Sequence, residues 1–161
     1  MIQSRIMASE YYSSSQSVAF YYSTSDEVFT QGLFQETRRA GKKIAYPKVK
    51  GKQEALDFFW VQSLEQFQTS QWGIKEPDEK LGAQKATLEE IDLMLLPALA
   101  FDSQGYRLGR GEAFYDRTLK KFSGKRLGLA YSFQVLPEIP HEEWDEKVDI
   151  IATEKEWLTI R

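Results

Sequence analysis

Apolar positions along the chain fall into short blocks whose spacing alternates between that of strands and that of helices. SVAFYYS (residues 17–23) is a continuous apolar and aromatic run bounded by serines, the pattern of a buried strand. Helix signals follow at once. Thr24 or Ser25 offers an N-cap, Glu27 stands three residues after Thr24 as in a capping box, and Phe29, Leu33 and Phe34 recur at helical spacing until Gly41. KIAYPKV (43–49) and ALDFFWV (55–61) read as a second and a third strand. Residues 62–87 are polar and punctuated by Gly73, Pro77 and Gly82, which predicts a long irregular connection with room for one helical turn. IDLMLLP (91–97) is apolar throughout and closed by proline, as in a central strand covered on both faces. After a loop over 98–111, EAFYDRTLKKF (112–122) predicts a helix, because Tyr115, Leu119 and Phe122 fall at i, i+4 and i+7 ahead of Gly124. RLGLAYS (126–132), VDIIAT (148–153) and the short WLTI (157–160) complete the strands. Strands alternating with helices predict an α/β fold with parallel pairing, a single domain over residues 1–161.

Composition narrows the chemistry. A chain of 161 residues, 42% hydrophobic, can bury one real core. Its 21 basic and 24 acidic residues give a net charge of −3 with no basic run, which argues against a nucleic-acid partner. The absence of cysteine excludes disulfides and thiolate metal sites. His141, the only histidine, leaves little room for a zinc cluster or a Ser/His/Asp triad, and as a lone histidine it is expected at the surface. Any metal would be a hard, oxygen-liganded ion such as Mg²⁺. No apolar run approaches the roughly 20 residues needed to span a bilayer, and the N-terminal residues lack a signal-peptide core, so a cytoplasmic location is expected.

The loop at 98–111 leaves the most apolar strand, and ligands of α/β sheets bind at such strand ends. Gly105, Gly109 and Gly111 allow tight turns with exposed N–H groups, a helix N-terminus is expected next, and Arg107 and Arg110 add positive charge. Together they make an anion cradle whose natural guest is phosphate. It is neither a P-loop nor a GxGxxG fingerprint, since the residue three after Gly111 is Phe114. On pattern alone, plain turn geometry remains the commoner explanation.

LPALAFDSQGYRLGRGEAFYDRTL (96–119) resembles the signature of the 5-formyltetrahydrofolate cyclo-ligase family, approximately P-G-L-A-F-D-x-x-G-x-R-L-G-x-G-[KG]-G-Y-Y-D. YYSTSDEVFT (21–30), AYPKV (45–49), WGIKEP (72–77) and WDEKVDIIATE (144–154) resemble further segments of that family in the same order. The resemblance implies a three-layer α/β/α fold with a mostly parallel sheet, like that of sugar isomerases and CoA transferases. It implies Mg²⁺-dependent use of ATP to convert 5-formyltetrahydrofolate to 5,10-methenyltetrahydrofolate, with release of ADP and phosphate, by a monomer or weak dimer. The formyl oxygen attacks the γ-phosphate, N10 then attacks the formyl carbon, and phosphate departs. Such chemistry needs positioning and charge neutralisation rather than a nucleophilic triad.

Carried over by position, the ATP-binding loop is Arg107, Leu108, Gly109, Arg110, Gly111, Glu112, Ala113, Phe114 and Tyr115, with Arg110 and Tyr115 as its catalytic residues. Asp116 and Asp145 correspond to the Mg²⁺ ligands. Tyr22, Glu27, Trp72, Arg110 and Phe114 correspond to substrate-binding positions, where Trp72 would stack on the pterin. Structural alternatives stand beside each: Glu27 as a capping partner, Asp116 as an i,i+4 partner of Lys120, Trp72 as a core anchor, and Asp145 as part of a solvated acidic run. The chain departs from the family at Glu112, Ala113 and Phe114, where Lys or Gly, Gly and Tyr are usual, and it starts beyond the family's basic N-terminal helix. An alternative is therefore a member that binds folate or nucleotide without turnover. An unrelated sugar-phosphate enzyme sharing only the cradle is a second.

Overall fold

The computed structural model describes Met1–Arg161 and arranges them about one eight-stranded sheet. In chain order the strands are β1 (Ser17–Ala19), β2 (Lys43–Lys48), β3 (Asp57–Trp60), β4 (Phe67–Thr69), β5 (Lys75–Pro77), β6 (Gln84–Ala86), β7 (Leu93–Leu96), β8 (Ala100–Asp102), β9 (Arg107–Leu108), β10 (Lys125–Leu129), β11 (Val135–Leu136), β12 (Ile150–Ala152) and β13 (Trp157–Thr159). The helices are α1 (Ile2–Met7), α2 (Glu10–Ser13), α3 (Gln31–Arg39) and α4 (Phe114–Leu119). The large sheet runs β13-β12-β10-β7-β1-β2-β3-β6. Pairing is parallel from β12 through to β2, and antiparallel β13, β3 and β6 finish the edges. A second small sheet, β11-β8-β9, and the β4–β5 hairpin stand off it.

Alternation along each central strand splits the core in two. Val18, Leu93, Leu95, Leu127 and Ile150 face a cluster completed by Ile6 of α1 and by Leu33 and Phe34 of α3. Ala19, Met94, Leu96 and Ile151 face the opposite cluster, which includes Leu119 of α4 and Phe122. With both faces covered, a continuous apolar run such as β7 is required, and the result is the expected three-layer α/β/α arrangement.

Several local expectations fail for identifiable reasons. The first strand ends at Ala19, and no helix starts at Thr24. Glu27 does reach back to Thr24, its Oε1 accepting from the Thr24 amide at 2.9 Å and hydroxyl at 3.0 Å, but this closes only a turn. The Tyr21 hydroxyl donates to Val28 O and the Thr30 hydroxyl to Tyr21 O, holding residues 20–30 as a folded loop, so helix α3 starts at Gln31. The supposedly irregular 62–87 connection contains the β4–β5 hairpin and edge strand β6; short strands with mostly exposed residues carry too little apolar alternation to be read. Within the expected 98–111 loop, β8 and β9 pair as a hairpin. The helix expected over 112–122 shrinks to α4, because Gly111 (φ 98°) and Ala113 (φ 56°) are in left-handed conformations that cannot join a right-handed helix. Helices α1 and α2 also escaped the periodicity; Ile2, Ile6 and Tyr12 bury there, and an Arg5 Nη2 to Lys155 O bond of 2.9 Å ties α1 to the turn after β12. His141 is half-buried rather than free on the surface, stacked on Tyr106 with ring centroids 3.6 Å apart.

Candidate active site

The carboxyl ends of β1, β2 and β7 open onto a cavity of about 470 Å³. One wall is the 20–30 loop with Tyr21, Tyr22 and Glu27; another is the segment from Arg107 to Asp116; Glu76 of β5 and Asp145 contribute from further sides. Tyr22 rests on Phe67, centroids 5.3 Å apart, and Phe67 meets buried Tyr46 edge-on at 4.8 Å, so the Tyr22 wall is backed by packed aromatic rings.

The cradle is built on the β8–β9 hairpin. Buried Asp102 accepts from the amides of Gln104 and Tyr106, each at 3.0 Å, and from Ile139 at 3.2 Å, which fixes the hairpin turn and brings the 139–148 segment beside it. Gly105 (φ 93°) completes the turn where a Cβ would meet Val148 O at 2.9 Å. On β9, Arg107 is 7% exposed: Nε donates to Pro97 O at 2.8 Å, the guanidinium lies over Tyr115 at 4.9 Å, and Nη1 stands 4.0 Å from Asp116. Burial lowers its pKa from the ordinary guanidinium value while Asp116 opposes that, and the group stays a buried cation. Arg110 is exposed and loosely held, 3.8 Å from Asp26 and 3.4 Å from the Thr24 hydroxyl across the mouth. Glu112 is exposed; its carbonyl accepts from Arg117 at 2.7 Å. Ala113 is the only non-glycine residue with positive φ, so the departure from glycine at this position carries backbone strain.

Asp116 and Asp145 line the same cavity. The Asp116 carboxyl titrates above its ordinary range, chiefly through burial; Arg107 pulls it down and the Asp145 charge raises it. No cluster of three or more His, Cys, Asp or Glu side chains suited to a metal is present. A pair of carboxylates fits Mg²⁺, which takes one or two protein carboxylates and fills its octahedron with water and phosphate oxygens. Burial also drives the Tyr115 hydroxyl upward, so it remains a neutral phenol, a hydrogen-bond donor on the cavity wall.

Residues 1–154 match the model of the 5-formyltetrahydrofolate cyclo-ligase family. The chain belongs to that family. It is 35% identical over 135 residues to the 5-formyltetrahydrofolate cyclo-ligase of Haemophilus influenzae, covering 81% of this chain and 71% of that one. It is 29% identical to the mouse 5-formyltetrahydrofolate cyclo-ligase, over 96% of this chain and 81% of the mouse protein. The fold agrees with the NMR structure of Aquifex aeolicus 5,10-methenyltetrahydrofolate synthetase at a TM-score of 0.86 and 34% identity, over 99% of this chain and 79% of that one. The chain is thus an enzyme of the cyclo-ligase family, and no helix in it is long and apolar enough to cross a membrane.

Among the positions that the family suggests, Tyr22, Glu27, Arg107 to Tyr115, Asp116 and Asp145 converge on the one cavity. Trp72 does not: it is 50% exposed in the β4–β5 turn, and Ile74 and Glu76 of that hairpin face the cavity instead. Sequence reasoning missed Tyr21, Pro47, Val49, Leu56, Glu76 and Pro140, all on the cavity wall. Tyr21, Pro47, Val49 and Glu76 nevertheless lie within the segments 21–30, 45–49 and 72–77 that resemble the family's, which is the signal that could have found them.

Proposed function

We propose that this cyclo-ligase converts 5-formyltetrahydrofolate to 5,10-methenyltetrahydrofolate with ATP and Mg²⁺, releasing ADP and phosphate. The observation that carries the reading is Arg107: a desolvated guanidinium next to a glycine-rich turn and two carboxylates, in a cavity whose other walls mix aromatic and apolar residues with Glu27 and Glu76. Such a cation is costly to bury without an anion to meet it, and a weakly bound 4.0 Å contact to a half-buried Asp116 leaves most of its donors for phosphate. Amides of Gly109 to Ala113 and the guanidinium of Arg107 would hold the polyphosphate. Exposed Arg110 would neutralise charge on the transferring phosphoryl group, as arginines do in phosphoryl transfer. Asp116 and Asp145 would hold Mg²⁺, which supplies charge neutralisation at the phosphates when bound. Neutral Tyr115 would donate its hydroxyl proton in a hydrogen bond to the reacting oxygens, while Tyr22, Glu27 and Phe114 would line the folate side.

In the reaction, the formyl oxygen bonds to the γ-phosphorus as the bond to ADP breaks. N10 then bonds to the formyl carbon and gives up its proton, and phosphate leaves with the former formyl oxygen. Appearance of the methenyl chromophore on mixing protein, 5-formyltetrahydrofolate and Mg·ATP, with none when ATP is omitted, is the expected result. Folate binding without ATP-dependent absorbance would mark a binding protein instead, the reading favoured by strained Ala113 and acidic Glu112. Displacement of ATP by sugar phosphates but not by folates would point to a different substrate class.

A further inference from the structure

The two carboxylates proposed to hold Mg²⁺ stand on separate pieces of chain: Asp116 in the first turn of α4, Asp145 in the segment that leads from Pro140 to β12. No hydrogen bond or ion pair passes directly between α4 and residues 142–147. One side chain bridges them. Arg126, near the start of β10, donates through Nη2 to the carbonyls of Leu119 at 2.6 Å and Phe122 at 3.0 Å, at the end of α4 and in the turn beyond it. Through Nη1 it donates to Glu146 Oε2 at 2.7 Å and to Lys147 O at 3.1 Å, the two residues that follow Asp145. The same residue is pinned at its backbone, where its amide donates to Asp149 Oδ2 and its carbonyl accepts from the Asp149 amide, each at 2.9 Å.

Each Nη carries two hydrogens, so these four bonds use all of them. The Arg126 side chain is 17% exposed and that of Glu146 28%, which places the bridge in a seam largely out of water. A guanidinium is a rigid planar fork, and one engaged at every Nη hydrogen holds its acceptors at fixed spacing. Asp116 precedes Leu119 by about one helical turn, and Asp145 is bonded in the chain to Glu146, so the bridged pieces are those that carry the two carboxylates. Mg²⁺ tolerates little error in such a pair, since it demands near-octahedral oxygens at about 2.0–2.1 Å. We propose that Arg126 is a positioning residue for the divalent cation: by tying Leu119 and Phe122 to Glu146 and Lys147, it sets the separation of Asp116 from Asp145. Arg126 is not itself on the cavity wall and acts through the carboxylates. The assignment rests on the Mg²⁺ reading above and adds the group that sets its geometry.

Arg126→Lys is the informative variant, because a lysine keeps the charge but offers its three donors from one point and cannot span four acceptors. Calorimetric titration of ADP, once with Mn²⁺ and once in EDTA, reads the cation's contribution to binding without turnover. In wild-type protein Mn²⁺ is expected to tighten ADP binding, and Asp116→Asn to abolish that gain. Arg126→Lys is expected to cut the gain by about tenfold, as for other groups that orient metal ligands, while ADP affinity in EDTA stays within about twofold. The Mg²⁺ concentration for half-maximal methenyl formation should rise, with kcat at saturating Mg²⁺ changing far less. Glu146→Ala removes one acceptor and leaves those on the α4 side, so a smaller loss of the same kind is expected; it carries the test should the lysine variant fail to fold. An intact Mn²⁺ gain in the variant overturns the assignment alone. Equal losses of ADP affinity with and without Mn²⁺ mark a purely structural role and overturn it as well. Wild-type protein whose ADP affinity ignores Mn²⁺, or whose gain survives Asp116→Asn, overturns the Mg²⁺ reading and the assignment with it.

Discussion

Two clefts share Leu56, and α4 contributes residues to both. The cavity assigned to catalysis has a volume of about 470 Å³; behind it a groove of about 530 Å³ is lined by Lys50, Lys85, Arg117, Lys120 and Lys121. By size and by number of cations the groove is the better anion site. Yet its charges are already engaged or free in water. Arg117 donates to three backbone carbonyls, of Glu54, Lys52 and Glu112, and Lys85 pairs with Asp57 at 2.7 Å. In the cavity, by contrast, Arg107 is buried beside an aromatic ring with one long ionic contact. Desolvated charge with donors to spare distinguishes a reactive site, because electrostatic interactions are worth far more where water is excluded. Consecutive residues of α4 make the division: Tyr115 and Asp116 serve the cavity, Arg117 the groove.

Replacing Arg107 should show the contrast most strongly. Arg107→Met fills the same space without charge, and kcat/KM for methenyl formation is expected to fall on the order of a thousandfold. Next is Asp116→Asn, with activity lower by about a hundredfold or more, the worth of the several kcal/mol of charge stabilisation that the proposed Mg²⁺ would supply. The same change should stabilise the apoprotein. Asp116 has a raised folded-state pKa, so the fold holds its proton more tightly than the unfolded chain does. Stability from this group is present below the unfolded pKa, is lost as pH rises through the interval up to the folded pKa, and stays lost above it. Thermal unfolding should therefore favour Asp116→Asn over wild type at pH 7, with the advantage shrinking as pH falls towards about 4.

Smaller still, Ala113→Gly relieves a left-handed alanine and should stabilise by about 1 kcal/mol, a rise in Tm of roughly 2–4 °C. Unchanged Tm would mean that the cradle's conformation is not strained. Last comes the groove itself. The double variant Lys50→Ala/Lys121→Ala should alter kcat/KM by less than about twofold, since exposed charges are weakly coupled to the site. A tenfold loss would erase the distinction between the clefts.

Much of this molecule was legible in its residues for simple reasons. Strands β7 and β12 bury both faces, so their apolar runs are unbroken, and the cradle's glycines and arginines lie together in the chain. What failed was whatever depends on partners distant in sequence. Strands β4, β5 and β6 are only three residues each and carry little apolar alternation, and the Thr24–Glu27 pair closes a turn rather than a helix because Tyr21, Val28 and Thr30 hold the loop. Trp72 and Glu76 stand four residues apart on one hairpin, yet only packing of β5 against β2 sends Glu76 inward and leaves Trp72 half-exposed.

By itself, the sequence determined the layered parallel fold, the glycine- and arginine-rich segment proposed to hold an anion and, through its ordered motifs, the family. Only the tertiary structure decided which cations are desolvated, which carboxylates meet across the cavity and which aromatic residues line it. The reason is physical: periodicity and turn chemistry act over a few residues, whereas burial, and with it the strength of every charge, is set by what the rest of the chain folds around them.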